Sequence, residues 1–301
     1  MTSSVLVLGV FDGVHRGHQA LINQARIRAD LIGADVGAVT FDPHPAAVLA
    51  PSRAPALLCG LERRIELLHA AGCDAVHVQE FTAQFAQKSP SEFVDEVLMP
   101  LTPVEVIVGE NFRFGHRAAG DARALAELGS ERGFLVHAEP LRTDELMVVS
   151  STRVRSLVLA GDVDDAAQLL GRPHRLDGVV VHGDHRGREL GYPTANLEWS
   201  ASAAVPADGV YAGYLVVDPG LGEQRHLAAI SVGTNPHFGG VSRRVEAYAI
   251  DVPADFSIYG QPVAVEFAIR IRGQMVMDST EALVTQMAAD VAHARGALAQ
   301  P

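Results

Sequence analysis

Short apolar runs at residues 5–10, 36–41, 75–78 and 104–108 punctuate the first half of the chain, with helical stretches between them. Residues 18–34 are one such stretch, where Leu21, Ala25, Arg28 and Ile32 recur at helical spacing. Strands alternating with helices predict a parallel sheet covered on both faces. Ligands of such sheets sit beyond the carboxyl ends of the strands. Polar, Gly/His-rich segments follow Val10, Phe41 and Val108, at those ends.

The second half changes period. Residues 179–181, 210–217, 227–232, 244–251 and 263–271 read as strands separated by Gly/Pro/Asp turns, with no helix between them. Val265, Phe267, Ile269 and Ile271 alternate with Glu266, Ala268, Arg270 and Arg272, a period of two. This predicts a small antiparallel barrel or sandwich. A closing helix follows, with Asp278 as the expected N-cap and Glu281 as its capping-box partner. The class changes near Gly171-Arg172-Pro173, so the expected domains are 1–171 and 172–301.

Length and composition fit two globular cores. The chain has 301 residues, 48% of them hydrophobic, and a net charge of −12. Nothing clusters enough Lys or Arg for a basic face, so nucleic acid is not an expected partner. Nucleotides remain open, because backbone N–H groups and helix N-termini bind anions locally. Cys59 and Cys73 form no CxxC pair and no zinc spacing. No apolar run approaches the ~18 residues of a membrane span. The start lacks a basic n-region, and the cytoplasm is the expected location.

The first strand meets its helix through Gly9-Val10-Phe11-Asp12-Gly13-Val14-His15-Arg16-Gly17-His18. Gly9 and Gly17 allow close backbone approach. The helix start supplies free N–H groups and partial positive charge. His15 and His18, three apart, are placed to bracket a phosphate. Phe11 and Asp12 belong to the same turn. The arrangement suits nucleotidyl transfer, in which the attacking phosphate is already ionised and charge neutralisation is the main task. After the run 104–108, Gly109-Glu110-Asn111-Phe112-Arg113-Phe114 offers an amide (Asn111), a cation and two rings (Phe112, Phe114) able to stack on a flat ring system. Ser150-Ser151-Thr152-Arg153-Val154-Arg155 reads as a helix start with hydroxyls and two guanidiniums for a polyphosphate.

A second glycine-rich string spans residues 178–191 and includes Gly178, His182, Gly183, Arg186, Gly187, Arg188 and Gly191. It suits a phosphate-facing loop, though it lacks the GK[ST] ending of a Walker A sequence. Pro193-Thr194-Ala195-Asn196 follows. In an extended segment Thr194 and Asn196 share a face. Their neutral oxygens suit Mg²⁺, which keeps several waters and takes phosphates as ligands. Glu246 shares a strand face with Tyr248 and Ile250. It is the candidate base for an alcohol acceptor, with partial desolvation expected to raise its pKa.

Taken together, the blocks GVFDGVHRGHQ, TFDPHP, VGENFRFG, SSTRVR, RGRELGYPTANL, GVYAG, VGTNPHFGG and VEAYAIDV occur in family order. On these strings the chain resembles the bifunctional riboflavin kinase/FAD synthetases of bacteria, from about Val5 to about Ala292. The resemblance implies a Rossmann-like α/β nucleotidyltransferase domain followed by a riboflavin kinase β-barrel with a C-terminal helix. It implies ATP, riboflavin and FMN as substrates and FAD as product, with Mg²⁺. By the same resemblance His15 and His18 meet the ATP phosphates, while Asn111 and the 150–155 segment complete the nucleotide and flavin site. Thr194 and Asn196 hold Mg·ATP, and Glu246 is the kinase base. Two departures stand out. Gln274-Met275-Val276-Met277 replaces a stretch that commonly carries an acidic residue and Lys-Phe, and His237 stands where a small Thr is common. The alternative to two activities is therefore an FMN adenylyltransferase with a weakened kinase half.

Overall fold

The computed structural model describes residues 3–140, 143–144, 147–183, 191–218, 222–234, 243–253 and 256–298. Its chain divides into two compact units. Residues 1–55 with 61–151 form the first, and 56–60 with 152–301 form the second.

The first unit opens with β1 (Ser4–Leu8), α1 (Arg16–Ile32), β2 (Asp35–Asp42), α2 (Pro45–Leu49), α3 (Leu61–Ala70), β3 (Ala75–Glu80) and α4 (Pro90–Phe93). It continues through β4 (Pro103–Gly109), β5 (Arg113–Phe114), β6 (Gly120–Asp121), α5 (Ala122–Arg132), β7 (Leu135–Glu139), β8 (Thr143–Asp144) and β9 (Met147–Val148). The sheet is parallel with order β3-β2-β1-β4-β7. Alternate residues on its strands feed two cores. Val5, Val7, Val36, Ala38 and Ile107 pack on Ile22, Ala25 and Ala29 of α1 and Leu68 of α3. Leu6, Leu8, Val39, Phe41, Val106 and Val108 pack on Phe93, Val94, Leu98, Leu125 and Phe134. Burial of β1 on both faces explains its unbroken apolar run. The chain leaves β1 toward β2 and later returns to lay β4 on β1's other edge. The β1/β4 crevice is therefore the switch point where doubly wound sheets bind ligands.

The runs at 36–41, 75–78 and 104–108 fall in strands as predicted, while the first strand ends at Leu8, two residues before the end of the 5–10 run. β7 lacks such a run: its pattern is half-exposed because it is an edge strand. Helix α1 begins at Arg16, two residues earlier than the spacing indicates, because His15 caps it.

The second unit carries α6 (Ser151–Ala160), α7 (Val163–Leu170), β10 (His174–Val181), β11 (Ala195–Trp199), β12 (Gly209–Val217), β13 (Gln224–Gly233), β14 (Arg244–Ala249), β15 (Pro262–Arg272) and α8 (Thr280–Leu298). Its strands close into a barrel of order β10-β11-β14-β13-β12-β15, with every neighbouring pair antiparallel. Closure removes the unpaired edges of a sandwich. The interior is filled by Leu176, Leu215, Ile230, Val245, Val265, Phe267 and Tyr211 among others. Helix α8 lies outside, with Ala294 and Val291 against Ala212, Ile250, Leu227 and Ile269. A forked ion pair anchors it: Arg272 Nε and Nη2 reach Asp290 Oδ1 and Oδ2 at 3.0 and 2.6 Å. Its cap is Ser279, whose Oγ accepts from Ala282 N–H at 3.1 Å. That corrects the expected Asp278 cap: the helix starts one residue later, which takes Glu281 out of the reciprocal capping-box position.

Residues 56–60 act as a strap on this unit. Leu57 donates its N–H to Ser202 O at 2.6 Å and accepts from Ala204 N–H at 2.8 Å.

Candidate active site

Within the first unit, β1 delivers Gly9–His15 to the switch point. The turn is tightly wound: Phe11, Gly13 and Val14 have φ of 54°, 78° and 38°. Phe11, Asp12, Val14 and His15 are all buried. His15 is the N-cap of α1, and its Nδ1 accepts from the His18 N–H at 3.4 Å. The His15 and His18 rings stack with centroids 3.6 Å apart and planes at 18°. Phe11 presents its edge to His18 at 5.1 Å. A Cβ on Gly17 would sit 3.1 Å from the His15 ring, so the glycine makes room for the stack.

Burial, and then the neighbouring His15, push the His18 pKa well below the ordinary histidine value. His18 Nδ1 is buried with no hydrogen-bond partner among the described residues. A neutral, partly unsatisfied imidazole at a helix N-terminus is ready for an anion, which supplies both a partner and the charge that favours protonation. Ser151, also of the first unit, donates its hydroxyl to Asp12 O at 2.8 Å.

The loop after β4 borders the same crevice. Asn111 is exposed and Phe112 half-buried. Phe112 stacks on Phe114 at 5.6 Å and 17°. Phe114 is 7% exposed and packs among core residues including Phe93. The two rings expected to face a ligand thus divide: Phe114 is a core prop, and Phe112 is the ring with open surface. The string 150–155 divides as well. Ser151 counts with the first unit, while Thr152, Arg153 and Arg155 lie on α6 in the second. Arg155 Nε donates to Ala56 O at 2.5 Å, a bond to the strap.

On the barrel, β11 and β14 bring the second set together. Asn196 is the register partner of Glu246. The Thr194 hydroxyl lies 3.5 Å from Glu246 Oε2. Val245, Ala247 and Ala249 fill the barrel, so Glu246 and Tyr248 face outward, half-buried. Tyr192 meets Tyr248 edge-on at 5.2 Å. A Cβ on Gly183 would fall 2.2 Å from Asn196 Nδ2, so only glycine lets this loop lie on the amide. Gly178 abuts Glu198 O across the β10–β11 pair, where a Cβ would come within 2.4 Å. Gly191, with φ of 84°, turns the chain into exposed Pro193. Arg186 and Gly187 lie outside the described residues, as does His237.

Two family models match the chain. Residues 1–153 fit that of FAD synthetase and residues 170–298 that of riboflavin kinase. The chain belongs to the bifunctional riboflavin kinase/FMN adenylyltransferase family. Members so named from Pseudomonas fluorescens, Listeria monocytogenes and Escherichia coli are 37%, 35% and 34% identical to it. These matches cover 99%, 96% and 97% of this chain and 93%, 90% and 91% of the relatives. A crystal structure described as a macrolide-efflux protein from Streptococcus pneumoniae shares the fold, with a TM-score of 0.87 and 33% identity over 98% of this chain and 94% of that one. In this family member the six-stranded barrel is packed with side chains and is no channel. No helix among the described residues is long and apolar enough to cross a membrane.

Sequence reasoning passed over Arg64 and Thr40. Both donate to the Val10 carbonyl, at 3.0 and 2.9 Å. A signal existed: Arg64 falls four residues before Leu68, on the buried stripe of α3, where an arginine needs a reason.

Proposed function

We propose that the chain makes flavin cofactors in two ATP-using steps. The barrel unit transfers a phosphoryl group from ATP to the terminal hydroxyl of riboflavin, giving FMN and ADP. The parallel-sheet unit transfers AMP from a second ATP to the FMN phosphate, giving FAD and diphosphate. The observation that carries this reading is the Thr194–Asn196–Glu246 grouping on the barrel, in a chain whose other unit holds the His15–His18 stack.

In the kinase step the acceptor alcohol is protonated at pH 7, and Glu246 takes that proton as the hydroxyl attacks. Thr194 and Asn196 fit a hard divalent cation: a hydroxyl and an amide oxygen beside a carboxylate, under a glycine loop that a side chain would fill. They would hold Mg²⁺, which when bound neutralises phosphate charge. Gly183 and Gly191 border the nucleotide, and we assign Arg186 and Gly187 to binding the same nucleotide.

In the adenylyl step no general base is required, because the FMN phosphate is already an anion. His15 and His18 bind the triphosphate at the α1 N-terminus and stabilise charge as diphosphate leaves. Asn111 and Phe112 supply an amide and an open ring face for the nucleotide or flavin. Small molecules are thus the partners, with no role for nucleic acid. The cytoplasm suits both the ATP supply and two cysteines, Cys59 and Cys73, that form no disulfide.

The deciding experiment supplies purified protein with riboflavin and Mg·ATP and follows products by chromatography. FMN followed by FAD is expected. Accumulation of FMN alone, or conversion of supplied FMN without any use of riboflavin, would overturn the two-step reading.

A further inference from the structure

The Val10 carbonyl stands where β1 ends and the phosphate-facing turn begins. Two buried side chains grip it: the Thr40 hydroxyl at 2.9 Å and Arg64 Nη1 at 3.0 Å. Thr40 is fully buried and Arg64 only 4% exposed. Arg64 Nη2 also reaches Asp42 Oδ1 at 3.1 Å, at the end of β2. Its Nε has no hydrogen-bond partner among the described residues. A buried guanidinium with a donor left over is a costly way to join two strands. Its placement makes sense for what it does to one peptide plane.

In a trans peptide the C=O and the following N–H point in opposite directions. Holding the Val10 oxygen inward therefore turns the Phe11 N–H away from Arg64. Released, the plane could rotate and set a carbonyl oxygen against an anion. The strained φ of Phe11, 54°, is the conformation such a clamp would need to enforce.

We propose that Arg64 is a positioning residue for adenylyl transfer: with Thr40 it locks the Val10–Phe11 peptide so that an N–H, not an oxygen, faces the ATP phosphates. This rests on the adenylyltransferase reading of the first unit. Arg64 touches no reacting atom in this scheme and acts through the turn.

The test uses the full chain and compares Arg64→Met, Arg64→Lys and Thr40→Val. Steady-state FAD formation gives kcat and separate KM values for ATP and FMN, and riboflavin phosphorylation by the same protein serves as the internal control. Arg64→Met should raise KM for ATP about tenfold or more, the scale of one lost charge-assisted hydrogen bond. KM for FMN and the kinase rate should stay within about twofold. Lysine should restore part of the loss, and Thr40→Val should raise KM for ATP a few-fold. A residue needed only for stability would instead lower kcat, through a smaller folded fraction, with KM unchanged. If Arg64→Met does not fold, Thr40→Val decides. An unchanged KM for ATP in a folded Arg64→Met protein, or in Thr40→Val when that variant must decide, overturns the inference. A wild-type chain that makes no FAD sinks the site reading itself, a separate failure.

Discussion

Asn196 lies directly across the β11–β14 ladder from Glu246, and the Thr194 hydroxyl reaches that carboxylate at 3.5 Å. A carboxylate, an amide and a hydroxyl thus share one outer patch of the barrel, with Asn196 and Glu246 held by backbone pairing and Thr194 immediately before β11. The patch should fail selectively. Glu246→Gln keeps the shape and removes the proton acceptor. FMN formation from riboflavin is expected to fall by about 100-fold or more, the usual worth of a general base. FAD formation from supplied FMN should continue. Chromatographic product assays with each flavin check both halves, and an unchanged kinase rate would exclude Glu246 as base.

His18→Ala should do the reverse. It removes the ring stacked on His15 and the unpartnered Nδ1. FAD synthesis is expected to drop roughly 100-fold through loss of a transition-state charge contact. Riboflavin phosphorylation should be untouched. Equal loss of both activities would point instead to a folding defect.

Gly183→Ala inserts a methyl group where an atom would lie 2.2 Å from the Asn196 amide. The loop or the amide must shift. Kinase turnover should fall about tenfold, consistent with misplacement of a positioning group. The adenylyl step again serves as control. A variant with normal KM for Mg·ATP and normal kcat would show that this approach has no catalytic weight.

The barrel should lose stability in mild acid. His174 is buried, and its Nε2–H donates to Ala204 O at 2.8 Å. Burial lowers its pKa from 6.5 to about 4. The folded pKa is the lower one, so between about pH 6.5 and about 4 the unfolded chain binds a proton that the folded chain refuses. Stability therefore decreases as pH falls through that window, by roughly 3 kcal/mol in total. Urea melts at stepped pH would measure the slope, and His174→Gln should flatten it. A slope identical in the variant would assign the acid lability to other groups.

Much of this was legible from residue order. β1 and β2 announce themselves because burial on both faces demands continuous apolar sequence. β15 announces itself by alternation over Val265, Phe267, Ile269 and Ile271, but a register shift splits the set: Val265 and Phe267 fill the barrel while Ile269 and Ile271 pack on the α8 side. β11 does not, since Ala195, Asn196 and Glu198 carry little strand propensity and its pairing with β10 and β14 creates it. The histidine turn and the PTAN string are readable as chemistry. The partition of Phe112 from Phe114 is not, because which ring enters a core depends on packing from α4 and α5. Arg64 eluded the reading for a similar reason: its target is a backbone carbonyl, and no sequence motif names one.

The strap at residues 56–60 has a consequence for engineering. Because Leu57 is stitched to Ser202 and Ala204, the barrel unit borrows a length of polypeptide from within the span of the other unit. The two enzymes are thus threaded, not merely spliced end to end. Splitting the gene at one codon would deprive the kinase product of its own fastening.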